Sequence, residues 1–444
     1  MPKKRGEIAM EFETLKGSYL KRNIIIGVVA VAIISAIILN FTRAKYRVTQ
    51  SIPLVNGTIN YTLPDLNIIA ITVDGESTDT LPDGNYELLD SSYCTYKDGS
   101  TIDNLTLNYD SSTKAFSITP YTTKGTKCYL DFVASTTKKV DTILGTIEVN
   151  LDTPDFSKTA QANCNSTSTC EETNGIYEGQ DDDGTTYYFR GSVDNNWVYF
   201  GGYYWRIIRI NGDGTIRLIY NGNSTTTTGI GTQIGYSAFN SSYNNNSYVG
   251  FKYTTNNAHG TGTNSTILGV LNTWYQNNLA SYANNIDINA GFCNDRTPYS
   301  GSGTGTTATD YAAYDRLYTN KSPSFKCSNS SDLFTVSSSS KGNKALQYPI
   351  GLITADEVSY AGGVYNTTNT SYYLYTNQYY WTMSPSWYNN GYAYVFIVDS
   401  NGRLGDSIDW SVYYSYGVRP VVNLKADVQI STGSGTSSNP YVIS

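Results

Sequence analysis

The chain has 444 residues, 15% of them charged, and a formal net charge of −7. That length exceeds a single ordinary core and predicts two or three domains. The acidic balance leaves no electrostatic footprint for nucleic acid, so nucleic-acid partners are excluded.

Tyrosine is over-used, at 41 residues against 13 Phe and 3 Met. It supplies rigid area with a polar tip, which suits strands and contact surfaces alike. With Ser, Thr, Asn and Gly abundant, the composition reads as β-rich and extracellular rather than as a soluble cytoplasmic enzyme.

In chain order, the first element is IIIGVVAVAIISAIILNF at 24–41, long and apolar enough for a transmembrane helix. Lys3, Lys4, Arg5, Lys16, Lys21 and Arg22 precede it against Glu7, Glu11 and Glu13, and Arg43, Lys45 and Arg47 follow. The bias predicts a cytoplasmic tail at 1–22, an anchor at 23–42 and the remainder outside the cell membrane. A cleaved signal peptide is the alternative, but no A-x-A site follows the apolar run.

From 51 to 150, runs such as NIIAITV, LTLNY, AFSIT and CYLDFVA alternate with turn signals at Asp83-Gly84 and Asp98-Gly99. This spacing predicts a small all-β sandwich serving as a spacer. Residues 151–190 are polar and irregular, and are expected to be a linker with a stapled loop between Cys164 and Cys170. Asp181, Asp182 and Asp183 there lack the spacing of a calcium loop and read as a solvated turn. The six cysteines fall as regional neighbours, Cys94 with Cys128, Cys164 with Cys170, and Cys293 with Cys327. An even count in an exported chain predicts disulfides, although sequence alone permits many connectivities. His259 is the only histidine, so a zinc site is not expected.

Residues 191–444 predict an α+β domain. YYWRIIRI and TIRLIY flank NGDG as a hairpin. STILGVLNTWYQNNL reads as a helix capped by Ser265, and YPIGLI as a buried strand. In TADEVSYAGG, Thr354 and Glu357 stand at capping-box spacing. WTMSP, at Trp381 to Pro385, reads as a short strand stopped by Pro. AYVFIVD begins a hairpin around Ser400-Asn401-Gly402, and GVRPVVNL is a last strand. There Gly417 permits a close approach, and a buried Arg419 beside Pro420 would need a carboxylate or carbonyl partner.

The set WRIIRINGDGTIRLI, FCNDR, GLITADEVSYAGG, WTMSP and GVRPV resembles bacterial C-type-lectin-fold ectodomains of the formylglycine-generating-enzyme-like type. The closing segment is further similar to the variable proteins of diversity-generating retroelements. That resemblance, over about residues 190–425, implies a C-type-lectin-like domain whose C-terminal segment displays diversified residues for ligand binding. Diversification there is adenine-specific, so AAC codons scatter among Asn, Tyr, Ser, Asp and others. Matching positions are Tyr388, Asn389, Asn390, Tyr392, Tyr394, Arg403, Asp406, Ser407, Asp409, Tyr413, Tyr414 and Tyr416. Trp410 joins them as a surface residue, although AAC cannot yield Trp. Trp381, Ser384, Pro385, Gly417, Arg419 and Pro420 would form the fixed frame, and VFIV at 395–398 a core interruption. The tyrosines are expected on one exposed face, with Trp381 and Arg419 buried.

The resemblance implies a protein or glycan ligand on another cell, host or phage, and no metal or cofactor. Two alternatives stand beside it. One is a fixed-specificity adhesin or glycan-binding protein of the same fold. The other is a formylglycine-generating-like enzyme, which would need a reactive cysteine pair near the C-terminal end, yet no cysteine follows Cys327.

Overall fold

The structure, a computed structural model, describes residues 67–111, 113–119, 125–337, 341–405 and 411–444. The expected tail and anchor lie outside these residues, as do Asp406, Ser407, Asp409 and Trp410. Among the described residues no helix is long and apolar enough to cross a membrane. The described chain is α+β and strand-rich, with few helices. It divides into two units, one ending at Ser135 and one spanning Thr136–Ser444.

In the first unit, Asn67–Val73 pairs with Glu76–Thr78 and with Lys127–Ala134, which also carries Tyr86–Leu88 and Tyr93–Thr95. A separate hairpin joins Thr106–Asp110 to Ala115–Thr119. Alternation in CYLDFVA explains the packing: Cys128, Leu130 and Phe132 point inward and meet Ile68, Ile71, Phe116 and Ile118. Cys94 lies opposite Cys128 in the adjacent strand, and the two are bonded across a separation of 34 residues. Closing a loop of that length contributes about 3–4 kcal/mol in the chain-entropy account. The other two regional pairs, Cys164–Cys170 and Cys293–Cys327, are bonded as well.

The unit boundary differs from the expected one near residue 150. Thr137–Thr142 and Gly145–Asn150 form a hairpin that joins the second unit's ten-stranded sheet through Val149, which faces Ile176. The expected linker is likewise structured. Gly175–Gln180 and Thr185–Arg190 form a hairpin, and Tyr187 and Tyr188 pair with Ile210 and Arg209. The reason lies in its few large side chains: Tyr188, Phe189 and Arg190 are all buried. The Arg190 guanidinium donates to Glu171 at 2.9 Å and to the carbonyls of Ser359 and Tyr360.

The Tyr203–Ile210 and Ile216–Tyr220 strands form the hairpin that NGDG predicts, and Ile216–Tyr220 then pairs with Val421–Leu424. The helix Thr266–Asn278 is capped by Ser265, whose hydroxyl accepts from the Leu268 amide. YPIGLI is buried but is not a strand. Gly351 makes one bridge to Val421 while Ile350, Leu352 and Ile353 pack into the core.

The helix Ala355–Ala361 starts on the expected capping box, with Thr354 Oγ1 accepting from the Glu357 amide and Glu357 Oε2 accepting from the Thr354 amide. Glu357 does more than cap. Its Oε1 lies 3.2 Å from Arg209 Nε and 2.5 Å from Arg217 Nε, with all three side chains buried or nearly so. Burial alone would raise the Glu357 carboxyl, but Arg217 and Arg209 overcome that and hold it below its ordinary value.

A second, seven-stranded sheet carries the closing segment. Tyr380–Asn389 runs straight through Pro385 rather than stopping there. The ladder with Tyr392–Val398 is irregular on both sides of Pro385, which is how a strand accommodates a residue without an N–H. Ser384 Oγ accepts from the Ala355 amide at 2.9 Å and ties this strand to the helix start. Trp381 is buried, donating from Nε1 to the Ser237 carbonyl at 2.8 Å. Buried Arg419 finds carbonyl partners: Tyr220 and Leu374 oxygens at 3.2 Å, together with Asn221 Oδ1 at 2.9 Å. Gly417 is needed because a Cβ there would lie 1.6 Å from Gln233 Oε1. Pro420 is buried, and its carbonyl accepts from the Tyr220 amide.

Candidate ligand-binding face

The hairpin Tyr380–Asn389/Tyr392–Val398 turns at Asn390-Gly391, where φ is +50° and +83°. Both positions suit a two-residue turn that needs positive φ, so Asn390 serves the backbone as well as being exposed. Asn389 is exposed beside it, and its Oδ1 accepts from the Asn390 amide.

Beyond the turn, six rings form a continuous series. Tyr392 stacks on Tyr243 with centroids 5.1 Å apart and planes 11° apart. Tyr243 meets Tyr413 at 4.8 Å, and Tyr413 stacks on Tyr414 at 4.4 Å. Tyr414 and Tyr416 follow at 6.3 Å, then Tyr416 and Tyr379 at 5.3 Å. Tyr416 also rests against Trp381 at 5.2 Å, which couples the series to the buried frame. Tyr413 and Tyr414 are 36% and 37% exposed, and Tyr236 beside them reaches 54%. The Tyr236 hydroxyl donates to Gln378 Oε1 at 3.2 Å.

Each such ring contact is worth about 0.5–1.5 kcal/mol beyond burial, enough to hold neighbouring rotamers in place. Because the rings lean on one another, much of what they offer to solvent is edge and hydroxyl. Hydrogen bonding to Tyr414, with burial and the neighbouring phenols adding to it, pushes the Tyr413 phenol up to about 12. Tyr413 therefore stays neutral, and its hydroxyl can donate as well as accept. None of the six ring-bearing residues is charged, so the face can be desolvated without stripping an ion.

Two expected surface tyrosines are not on it. Tyr388 and Tyr394 are each 2% exposed. Tyr388 is covered because its strand is central: Thr309 pairs with it on one side and Ala393 on the other. Burial raises the Tyr388 phenol, and its hydroxyl has no hydrogen-bond partner. Tyr394 packs on Trp387 at 5.5 Å and bridges to Ser411. Arg403 is also not displayed freely, because its Nε donates to buried Asp399 at 2.6 Å and braces the 399–403 turn.

Sequence reasoning missed Tyr243, Tyr236 and Tyr379, all of which lie outside Trp381–Leu424. Tyr243 belongs to a polar excursion whose place beside Tyr392 is fixed by the Ala393 amide donating to the Tyr243 carbonyl at 2.8 Å. Only its aromatic identity within FNSSYNNN could have signalled it.

The groups weighed for catalysis are held in ion pairs. His259 Nδ1 lies 2.9 Å from Asp332 Oδ2, and Asp332 also accepts from Arg296 Nε at 2.8 Å. Asp356, expected merely to cap a helix, binds Arg316 through both oxygens at 2.8 and 2.9 Å. The described cysteines are all disulfide-bonded. No family model matches the chain, and no curated protein or solved structure matches it.

Proposed function

We propose that the second unit is a ligand-binding module of the C-type-lectin-like kind, held outside the cell membrane by the 23–42 helix. Its binding surface is the tyrosine series centred on Tyr392, Tyr413 and Tyr414, and the ligand is a protein or a glycan. The observation that carries this reading is an uncharged row of mutually stacked, partly exposed tyrosines tied to a buried Trp381. Such rings give large contact area at low entropy cost, and their fixed rotamers reduce the cost of binding.

Full-length chain carrying Tyr392→Ser, Tyr413→Ser and Tyr414→Ser together is expected to lose at least about tenfold in affinity. The readout is binding to cells or to a glycan array on which the parent chain is retained. Stability should fall by only about 0.5–2 kcal/mol, since the exposed side chains contribute little burial. A variant that binds like the parent would remove the tyrosine row from the reading.

Placement outside the cell has its own check. Protease added to intact cells should remove the chain beyond about residue 50 and leave a small membrane-bound stub. Protection of the second unit would oppose it.

Diversification by a retroelement accounts for Tyr and Asn at the displayed positions of Trp381–Leu424. It predicts a near-copy of that coding segment, differing mainly at adenines, beside a reverse transcriptase gene. Fixed specificity on the same scaffold is the second reading, favoured by the burial of Tyr388 and Tyr394 and by the turn role of Asn390. Absence of the near-copy from the surrounding DNA would select it.

A further inference from the structure

The second unit also encloses a cavity of about 290 Å³ that shares no residue with the tyrosine face. Its walls come from the Asp181-Asp182-Asp183 and Asn211–Asp213 turns, the Cys293–Cys327 disulfide and the start of the Ala355–Ala361 helix. The three aspartates are not the solvated turn that the sequence suggests. Asp181 is buried, accepting from Arg209 and from the amides of Asp183, Gly184 and Gly212.

Carboxylates outweigh the cations they face. Arg209 is shared between Asp181 and Glu357, and Arg316 between Asp295 and Asp356. Lys341 is shared in the same way, its ammonium 2.8 Å from Asp183 Oδ1 and 3.1 Å from Asp213 Oδ2. Unlike the arginines, its side chain is about one-third exposed and flexible.

Asp213 is fixed for this contact. Its Oδ1 accepts from the Thr215 amide and hydroxyl, which leaves Oδ2 for the ammonium. Burial would raise Asp213 and lower Lys341, yet their hydrogen bonds hold Asp213 below and Lys341 above their ordinary values.

A second observation is independent of the acids. Asn211 lines the same cavity and is only 8% exposed. Its Nδ2 is committed to Thr215 Oγ1 at 2.7 Å and to Asn423 Oδ1 at 3.1 Å. Its Oδ1 has no partner. A buried amide oxygen without a donor is costly unless a donor arrives with a ligand. Among the described residues no group of three or more His, Cys, Asp and Glu is placed to hold a metal ion. The missing donor is therefore better supplied as an N–H group.

We propose that this cavity binds the primary ammonium group of a ligand, which displaces the Lys341 ammonium from Asp183 and Asp213 and donates to Asn211 Oδ1. A primary ammonium carries three donors, one for each of these acceptors. The volume lies at the small end of ligand pockets, roughly 300–1,000 Å³, and suits an alkylammonium. Lysine side chains of a partner and short free diamines share that chemistry.

The test is calorimetric titration of the full-length chain with cadaverine and, separately, with Nα-acetyl-lysine N-methylamide. Lys341→Ala should bind one or both at least about tenfold more tightly than the parent, since the internal competitor is gone. Adding Asp213→Asn should reverse at least about tenfold of that gain, and neutral 1-pentanol should not bind. Binding of the lysine derivative alone assigns a lysine side chain, and binding of cadaverine alone assigns a free diamine. Should Lys341→Ala fail to fold, Lys341→Gln is titrated in its place and judged by the same tenfold criterion. If the Lys341 variant binds neither amine more tightly than the parent, or if Asp213→Asn leaves the gain intact, the proposal is overturned.

Discussion

Replacing Glu357 with Gln is expected to destabilise the second unit by about 3–5 kcal/mol, read as a lower denaturant midpoint. The carboxylate lies between Arg209 and Arg217 while its other oxygen closes the Thr354 capping box. Gln keeps the shape and much of the cap but leaves two nearly buried guanidinium groups short of a counter-charge. Arg217 shows the strain on that side, because burial already lowers its affinity for a proton. Asp181 still neutralises part of Arg209, so Arg217 should bear most of the loss.

The same carboxylate sets a pH dependence. Its folded-state value is depressed below the unfolded value of 4.5. The stabilisation is therefore fully present above that pH and is lost as pH falls through the folded value. Unfolding followed from pH 7 downward should show the parent losing stability on the acid side of 4.5, with a shallower slope in Glu357→Gln. Equal slopes would mean that other carboxylates govern acid unfolding.

Trp381→Ala should be comparably damaging, at about 3–5 kcal/mol. The indole is fully buried, meets Phe239 at 5.8 Å, and donates to the Ser237 carbonyl, which is left without that donor in the variant. Tyr416 would also lose its support, so the tyrosine row should loosen even in molecules that remain folded. A midpoint within 1 kcal/mol of the parent (about a third of the smallest expected effect) would place the indole outside the cooperative core. Comparison with the triple serine variant separates frame from face: one change unfolds, while three changes on the face mainly cost binding.

The sequence by itself determined the elements whose signals are local. The NGDG hairpin, the Ser265 and Thr354 caps and the buried VFIV run depend on turn chemistry, capping and unbroken apolarity. The regional cysteine pairs followed from neighbourhood along the chain. Burial of Trp381 and Arg419 was legible too, because each sits within an apolar run.

Tertiary structure decided what depends on the second neighbour of a strand. Tyr388 and Tyr392 belong to one hairpin and to the same residue type, yet Thr309 covers the first while Tyr243 stacks on the second. No pattern within Trp381–Leu424 encodes either partner, since both come from segments more than a hundred residues upstream in space-filling excursions. The same holds for the 151–190 region and for Asp356 and Glu357. Their polar sequence looks like linker and cap until distant arginines arrive to pair with them, and long-range ion pairing leaves no local periodicity to read.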